Sequence, residues 1–237
     1  MFILLRKRDL LLFVFCCCFF LGLATVLWQG GDVPVFQPGD SDIPVTVVID
    51  PGHGGEDGGA VSPGGVEESH INLAVSLRVS DLLRFTGQRT RLTRSEDVTT
   101  SDEGLDTLRQ RKSSDLKNRV RFVEETENAL LLSIHQNSLP SSPVTHGAQV
   151  FWNRQEEAEG LAEQVQEALN QSINAGNEKH PRPIPDSIYL MKHITAPGIL
   201  VECGFLSNGP ETERLQDPSY QLRLATAIVA GYLEHAR

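Results

Sequence analysis

Val45-Thr46-Val47-Val48-Ile49-Asp50-Pro51-Gly52-His53-Gly54-Gly55 decides how this chain is built. The run Val45 to Ile49 is almost wholly β-branched and lacks polar alternation, so it reads as a strand buried on both faces that Asp50-Pro51-Gly52 stops. Two later segments repeat the arrangement. Ala129 to Ile134 is an apolar strand that delivers His135, with Gln136 and Asn137 behind it, and Gly198 to Val201 is a strand that carries Glu202.

Helical segments separate these strands. From Glu68 to about Phe85 the residues Ile71, Ala74, Val75, Leu77, Val79, Leu82 and Leu83 form an apolar stripe, and Gly87 supplies the stop. Gln88 to Leu92 is a short strand. Residues 95–113 are polar without a persistent period and read as a surface excursion, a candidate flap over the substrate. A second helix is expected from Ser114 to Glu127, a strand over 147–152, a helix from Glu156 to Ile173 and a closing helix from Pro218 to Ala236. Strands alternating with helices predict an α/β fold: one catalytic domain over 45–237 with an open, mostly parallel or mixed twisted sheet and helices on both faces. Such sheets place ligands at the carboxyl ends of their strands, where His53, His135 and Glu202 all fall.

The N-terminal region is of another kind. Residues 10–28 are uncharged and almost wholly apolar behind Arg6-Lys7-Arg8, long enough as a helix to cross a bilayer core of about 30 Å. Positive charge on that flank predicts a cytoplasmic N-terminus with the rest exported. Leu23-Ala24-Thr25-Val26 is a poor cleavage site, so residues 1–28 are expected to be an uncleaved membrane anchor, the protein being secreted instead if they are removed. Residues 29–44, rich in Gly, Pro and Asp, read as a linker. Three of the four cysteines lie inside the apolar segment, so Cys203 has no partner for a bridge in the exported part. Removing the three bases and one acid of the flank from the chain's 21 and 31 leaves 18 and 30, a formal charge of −12. That argues against nucleic acid as a partner.

Two histidines and a carboxylate suit a catalytic zinc ion with one corner open, and a further carboxylate beside it suits a general base. Each residue also has a plainer reading. His53 could be a solvated turn residue among glycines, His135 a core histidine, and an acid at the start of a helix simply favoured by the backbone dipole, with Glu67, Glu68 and His70 all near that end. Glu202 directly after Ile199-Leu200-Val201 would be costly to bury unpaired, so it needs a metal, a catalytic role or a salt bridge, for instance with Arg94. Asn137 could bind a substrate amide or fix its loop.

Taken in order, Asp50 to Gly55, Glu68 with Ile71-Asn72-Leu73, Thr93-Arg94, Leu116 to Arg119, Ser133 to Asn137, Gly147-Ala148 and Leu200 to Asn208 resemble the zinc-dependent N-acetylmuramoyl-L-alanine amidases of the amidase-3 type. The resemblance runs from Val45 to the C-terminus. It implies hydrolysis of the amide between the lactyl group of N-acetylmuramic acid and L-alanine in peptidoglycan, with His53, Glu68 and His135 as ligands of one Zn2+, Glu202 as acid and base, and Asn137 and Arg94 at the substrate. Ser69 and His70 depart from the usual Lys-Asp after the glutamate. Ile188 to Met191, Thr195 to Gly198 and the N-terminal anchor look most like the spore-cortex branch. The implied partners are peptidoglycan and, through the N-terminal segment, the membrane; no protein partner is legible. A zinc peptidase cutting the stem peptide, or a wall-binding module without turnover, are the competing functions.

Overall fold

The computed structural model describes residues 43–237. The anchor expected over 1–28, and all but the last two residues of the linker expected over 29–44, lie outside the described residues. Among the described residues no helix is long and apolar enough to cross a membrane. The elements run β1 (Thr46–Pro51), α1 (Glu68–Phe85), β2 (Arg89–Leu92), α2 (Leu108–Glu124), β3 (Ala129–Asn137), β4 (Gln149–Trp152), α3 (Ala158–Ser172), β5 (Arg182–Pro183), α4 (Tyr189–His193), β6 (Gly198–Phe205), α5 (Gly209–Gln216) and α6 (Pro218–His235). The six strands form one open mixed sheet in the order β2-β1-β3-β6-β4-β5. β2, β1, β3 and β6 are parallel, whereas β4 runs antiparallel to β6 and parallel to β5. The expected α/β class and its mixed sheet are what the chain adopts.

Because side chains alternate across a strand, each continuous apolar run supplies two faces. Val47, Ile49, Leu130, Leu132, Ile134, Ile199 and Val201 pack with Val75 of α1, Val165 of α3 and Leu224 of α6 in the larger core. Val48, Leu131 and Leu200 face the other way, against Val123 of α2 and Leu190 and Met191 of α4. α6 meets α3 at Gly231, where a Cβ would overlap the Val165 backbone, so the two helices approach through a missing side chain.

Continuing that alternation towards the carboxyl ends places Asp50, Ser133, His135 and Glu202 on the second face. The register pairs Asp50 with Ser133, Ser133 with Leu200 and His135 with Glu202. One face is therefore apolar where its strands begin and polar where they end. The ladder shifts between His135 and Asn137, an irregularity of the kind that re-aims side chains next to sites. Between these polar ends, α2 and α4 lies a cavity of about 380 Å³.

α2 begins at Leu108, six residues ahead of the expected Ser114. The Thr107 hydroxyl accepts from Gln110 N–H while the Gln110 side chain accepts from Thr107 N–H, a capping box that starts the helix ahead of its apolar positions Leu116, Val120 and Val123. The preceding segment is not a flap over the site. Asp115 accepts from Thr100 N–H, Asn118 donates to Thr100 O and Ser114 donates to Asp102, which pins the segment onto α2, and no residue of 95–107 lines the cavity.

Candidate metal centre

Gly52 to Glu67 form the loop that carries His53 from the end of β1 to α1. Gly52 is fixed by what it faces, since a Cβ there would overlap the His135 ring. His53 has φ of 61°, a left-handed conformation uncommon for a residue with a side chain. Two groups hold it there: Arg119 Nη2 donates to His53 O at 2.7 Å, and His53 Nδ1 lies 2.9 Å from Asp57 Oδ2. The ring then presents Nε2 to Glu68 Oε2 at 3.4 Å.

Glu68 opens α1 and is 3 % exposed. Its Oε1 accepts from Gln136 N–H and Asn72 Nδ2 and stands 2.9 Å from His135 Nδ1, while its Oε2 accepts from Ala60 N–H. Burial opposes its charge, but the His135 contact, the nearby His53 and the Ala60 N–H outweigh it and hold the carboxyl down at about 2. The plainer reading, helix-end electrostatics, does not account for a carboxylate that four separate groups converge upon. Glu67 and His70 stay outside, His70 making an exposed contact with Asp97.

One nitrogen of His53, one of His135 and an oxygen of Glu68 lie within 4.8 Å of one another. Two tetrahedral ligands each about 2.1 Å from zinc stand about 3.4 Å apart, so the residues fit such an ion. Glu202 lies beside them as the register partner of His135. Its Oε2 is buried without a hydrogen-bond partner among the described residues. Burial pushes its carboxyl up to about 7, with Glu68 adding to the rise and His135 opposing it. No bridge to Arg94 forms.

Arg94, expected at the substrate, is instead a structural residue. It is 4 % exposed and donates to four backbone carbonyls, of Pro51, Gly52, Ser69 and Glu96, which ties the histidine loop to α1 from beneath and leaves the side chain off the cavity wall. Asn137 is likewise local: its Oδ1 accepts from Ser138 N–H at 2.8 Å, and the residue does not line the cavity. Cys203 is fully buried, and burial pushes its thiol far up, so it is a neutral core group.

Residues 47–234 match the family described as N-acetylmuramoyl-L-alanine amidase. The chain belongs to that family. The germination-specific N-acetylmuramoyl-L-alanine amidase of Bacillus subtilis is 36% identical over 189 residues, which span 80% of this chain and 78% of the relative. Among solved structures, the CwlD amidase from Clostridioides difficile, in complex with the GerS lipoprotein, is similar with a TM-score of 0.77 and 34% identity over 80% of this chain and 97% of that one. The catalytic domain of the amidase CwlV from Bacillus (Paenibacillus) polymyxa gives 0.67 and 30% over 81% and 97%. The chain is thus an enzyme, an N-acetylmuramoyl-L-alanine amidase acting on peptidoglycan.

Three residues of this amidase's site carried no assigned role on sequence grounds. Asp50 accepts from Ser133, Thr93 and Arg119, and Arg119 also donates to Pro51 O and His53 O and pairs with Asp115. Asn72 bridges Glu68, Gly52 O and Gln136. A signal for two of them existed: Asn72 and Arg119 are polar residues within a turn of apolar positions on their helices, Ile71 and Val75 on α1 and Leu116 and Val123 on α2, where a buried polar group needs partners.

Proposed function

We propose that this amidase is zinc-dependent, with His53, Glu68 and His135 holding one Zn2+ and Glu202 serving as general base and then general acid. The observation that carries this is the convergence of those three ligand atoms beside a buried carboxylate oxygen that has no other partner. Zinc held there supplies Lewis-acid polarisation of the scissile carbonyl and lowers the pKa of water beside it. Glu202 then takes a proton from the attacking water on Oε2 and returns it to the departing nitrogen of alanine. A carboxyl near 7 is matched to moving a proton both ways at neutral pH.

The scissile bond in this reading joins the lactyl group of N-acetylmuramic acid to L-alanine. Leu116, Ile188, Leu190 and Met191 form an apolar wall opposite the polar strand ends, suited to the methyl groups on either side of that amide. Similarity to a germination-specific amidase supports spore cortex as the place of action. The apolar segment 10–28 supports export, with the catalytic domain outside the cytoplasm and anchored to the membrane.

Mass spectrometry of purified peptidoglycan after incubation with the full-length chain tests the reading. New L-alanine amino termini and peptide-free muramic acid are expected, and intact muramyl-alanine bonds would overturn the bond assignment. A chelator should abolish turnover and zinc restore it; turnover that survives complete metal removal would overturn the metal.

A further inference from the structure

The two histidines are held by different means. His135 is wedged against Gly52 and turned towards Glu68, whereas the His53 ring, with 28 % of its side chain exposed, is aimed by a hydrogen bond to Asp57. Asp57 Oδ2 takes His53 Nδ1. Its other oxygen, Oδ1, accepts from Lys112 Nζ of α2 at 2.7 Å and from Gly59 N–H at 3.3 Å. A neutral imidazole has one N–H and one lone pair, and a carboxylate can only accept, so this contact puts the proton on Nδ1 and leaves the Nε2 lone pair facing Glu68.

We propose that Asp57 is a positioning residue that holds His53 in the Nδ1–H tautomer, with its second oxygen locked by Lys112 so that the carboxylate cannot rotate away. The inference rests on the metal reading above, because its purpose is to free Nε2 for the ion. In Asp57→Asn the Lys112 ammonium and the Gly59 N–H both demand an acceptor at Oδ1, so the amide oxygen occupies that side and the NH2 group turns towards His53 Nδ1. Two donors cannot face each other. His53 must then carry its proton on Nε2, the nitrogen meant for the ion. Asp57→Ala imposes no tautomer, so the near-isosteric amide is the worse substitution, the reverse of what lost packing would produce.

The experiment measures zinc affinity of the full-length protein by competition with a chromophoric chelator, alongside thermal unfolding. Loss of a carboxylate behind a ligating histidine costs about 10- to 100-fold in affinity, which is expected of Asp57→Ala. Asp57→Asn should lose more, and the double variant Asp57→Asn, Lys112→Met should recover towards Asp57→Ala because one of the two donors fixing the amide is gone. Long-range 1H–15N correlation on the metal-free protein at alkaline pH reads the tautomer directly: Nδ1–H at His53 in the wild type and Nε2–H in Asp57→Asn. Equal zinc affinity in Asp57→Asn and wild type, an Asn variant milder than the Ala variant, or an unchanged tautomer would each overturn the proposal. Wild-type protein that takes up no zinc would instead overturn the metal reading, and the tautomer, read without metal, separates the two failures.

Discussion

Replacing Arg119 by Met keeps an apolar stem on the buried face of α2 and removes the guanidinium. Asp50 is 1 % exposed, and its charge is balanced by Arg119 at 2.7 Å, the remaining partners, Thr93 and Ser133, being neutral. Removing one member of such a buried pair costs about 3–5 kcal/mol, because the other charge stays behind without compensation. His53 O also loses its Arg119 donor, for about 1 kcal/mol more. Pro51 O keeps Arg94 and adds little. The expected loss is about 4–6 kcal/mol out of a total of about 5–15, or a fall in Tm of about 10–20 °C for a domain of this size.

Acid should narrow the difference. In the wild type burial works to raise the Asp50 carboxyl, but Arg119, the Thr93 and Ser133 hydroxyls and the nearby His135 together outweigh it and hold it below its ordinary value. A depressed carboxyl stabilises the fold above the unfolded pKa of about 3.9, and that contribution disappears as pH falls through the folded value. Without Arg119 burial dominates, so Asp50 protonates at a higher pH in the folded variant and acid relieves the cost. Urea unfolding of both proteins at pH 7 and pH 4 reads the two free energies. A loss below about 1 kcal/mol at pH 7, or a gap that fails to shrink at pH 4, would refute this account of the pair.

Glu202→Gln should retain zinc and lose about 100- to 10,000-fold in kcat on peptidoglycan, since the amide cannot take the proton; near-native turnover would remove Glu202 from the acid–base role. Gly52→Ala should lower zinc affinity by about tenfold or more, measured by chelator competition, because the new methyl overlaps the His135 ring; unchanged affinity would mean that the ring moves aside at no cost.

The strands that carry the site were legible because burial on both faces leaves a local mark. β1, β3 and β6 each show an unbroken apolar run ended by a polar residue, and α1 shows a stripe that starts at Glu68 and ends at Phe85, the bounds it has in the fold. Elements held by polar contacts left no such mark. The first turns of α2 contain Arg109, Gln110, Arg111 and Lys112, stabilised by a capping box and by ion pairs to Glu56 and Asp57 across the loop. α4 and α5, at five and eight residues, are too short to show a period.

Residue types and their order along the chain determined the class of fold and the strand ends that carry His53, His135 and Glu202, because periodicity and steric stops act within a few neighbours, whereas only the resemblance of the ordered motifs singled out Glu68 from Glu67 and His70. Tertiary structure alone decided the strand order, the antiparallel β4, the burial of Arg94 beneath the histidine loop and the pairing of Asp57 with both His53 and Lys112. These depend on which distant segments meet, as Asp50 and Arg119 do across 69 positions, and a hydrogen-bond partner that far along the chain leaves no imprint on the residues around either one.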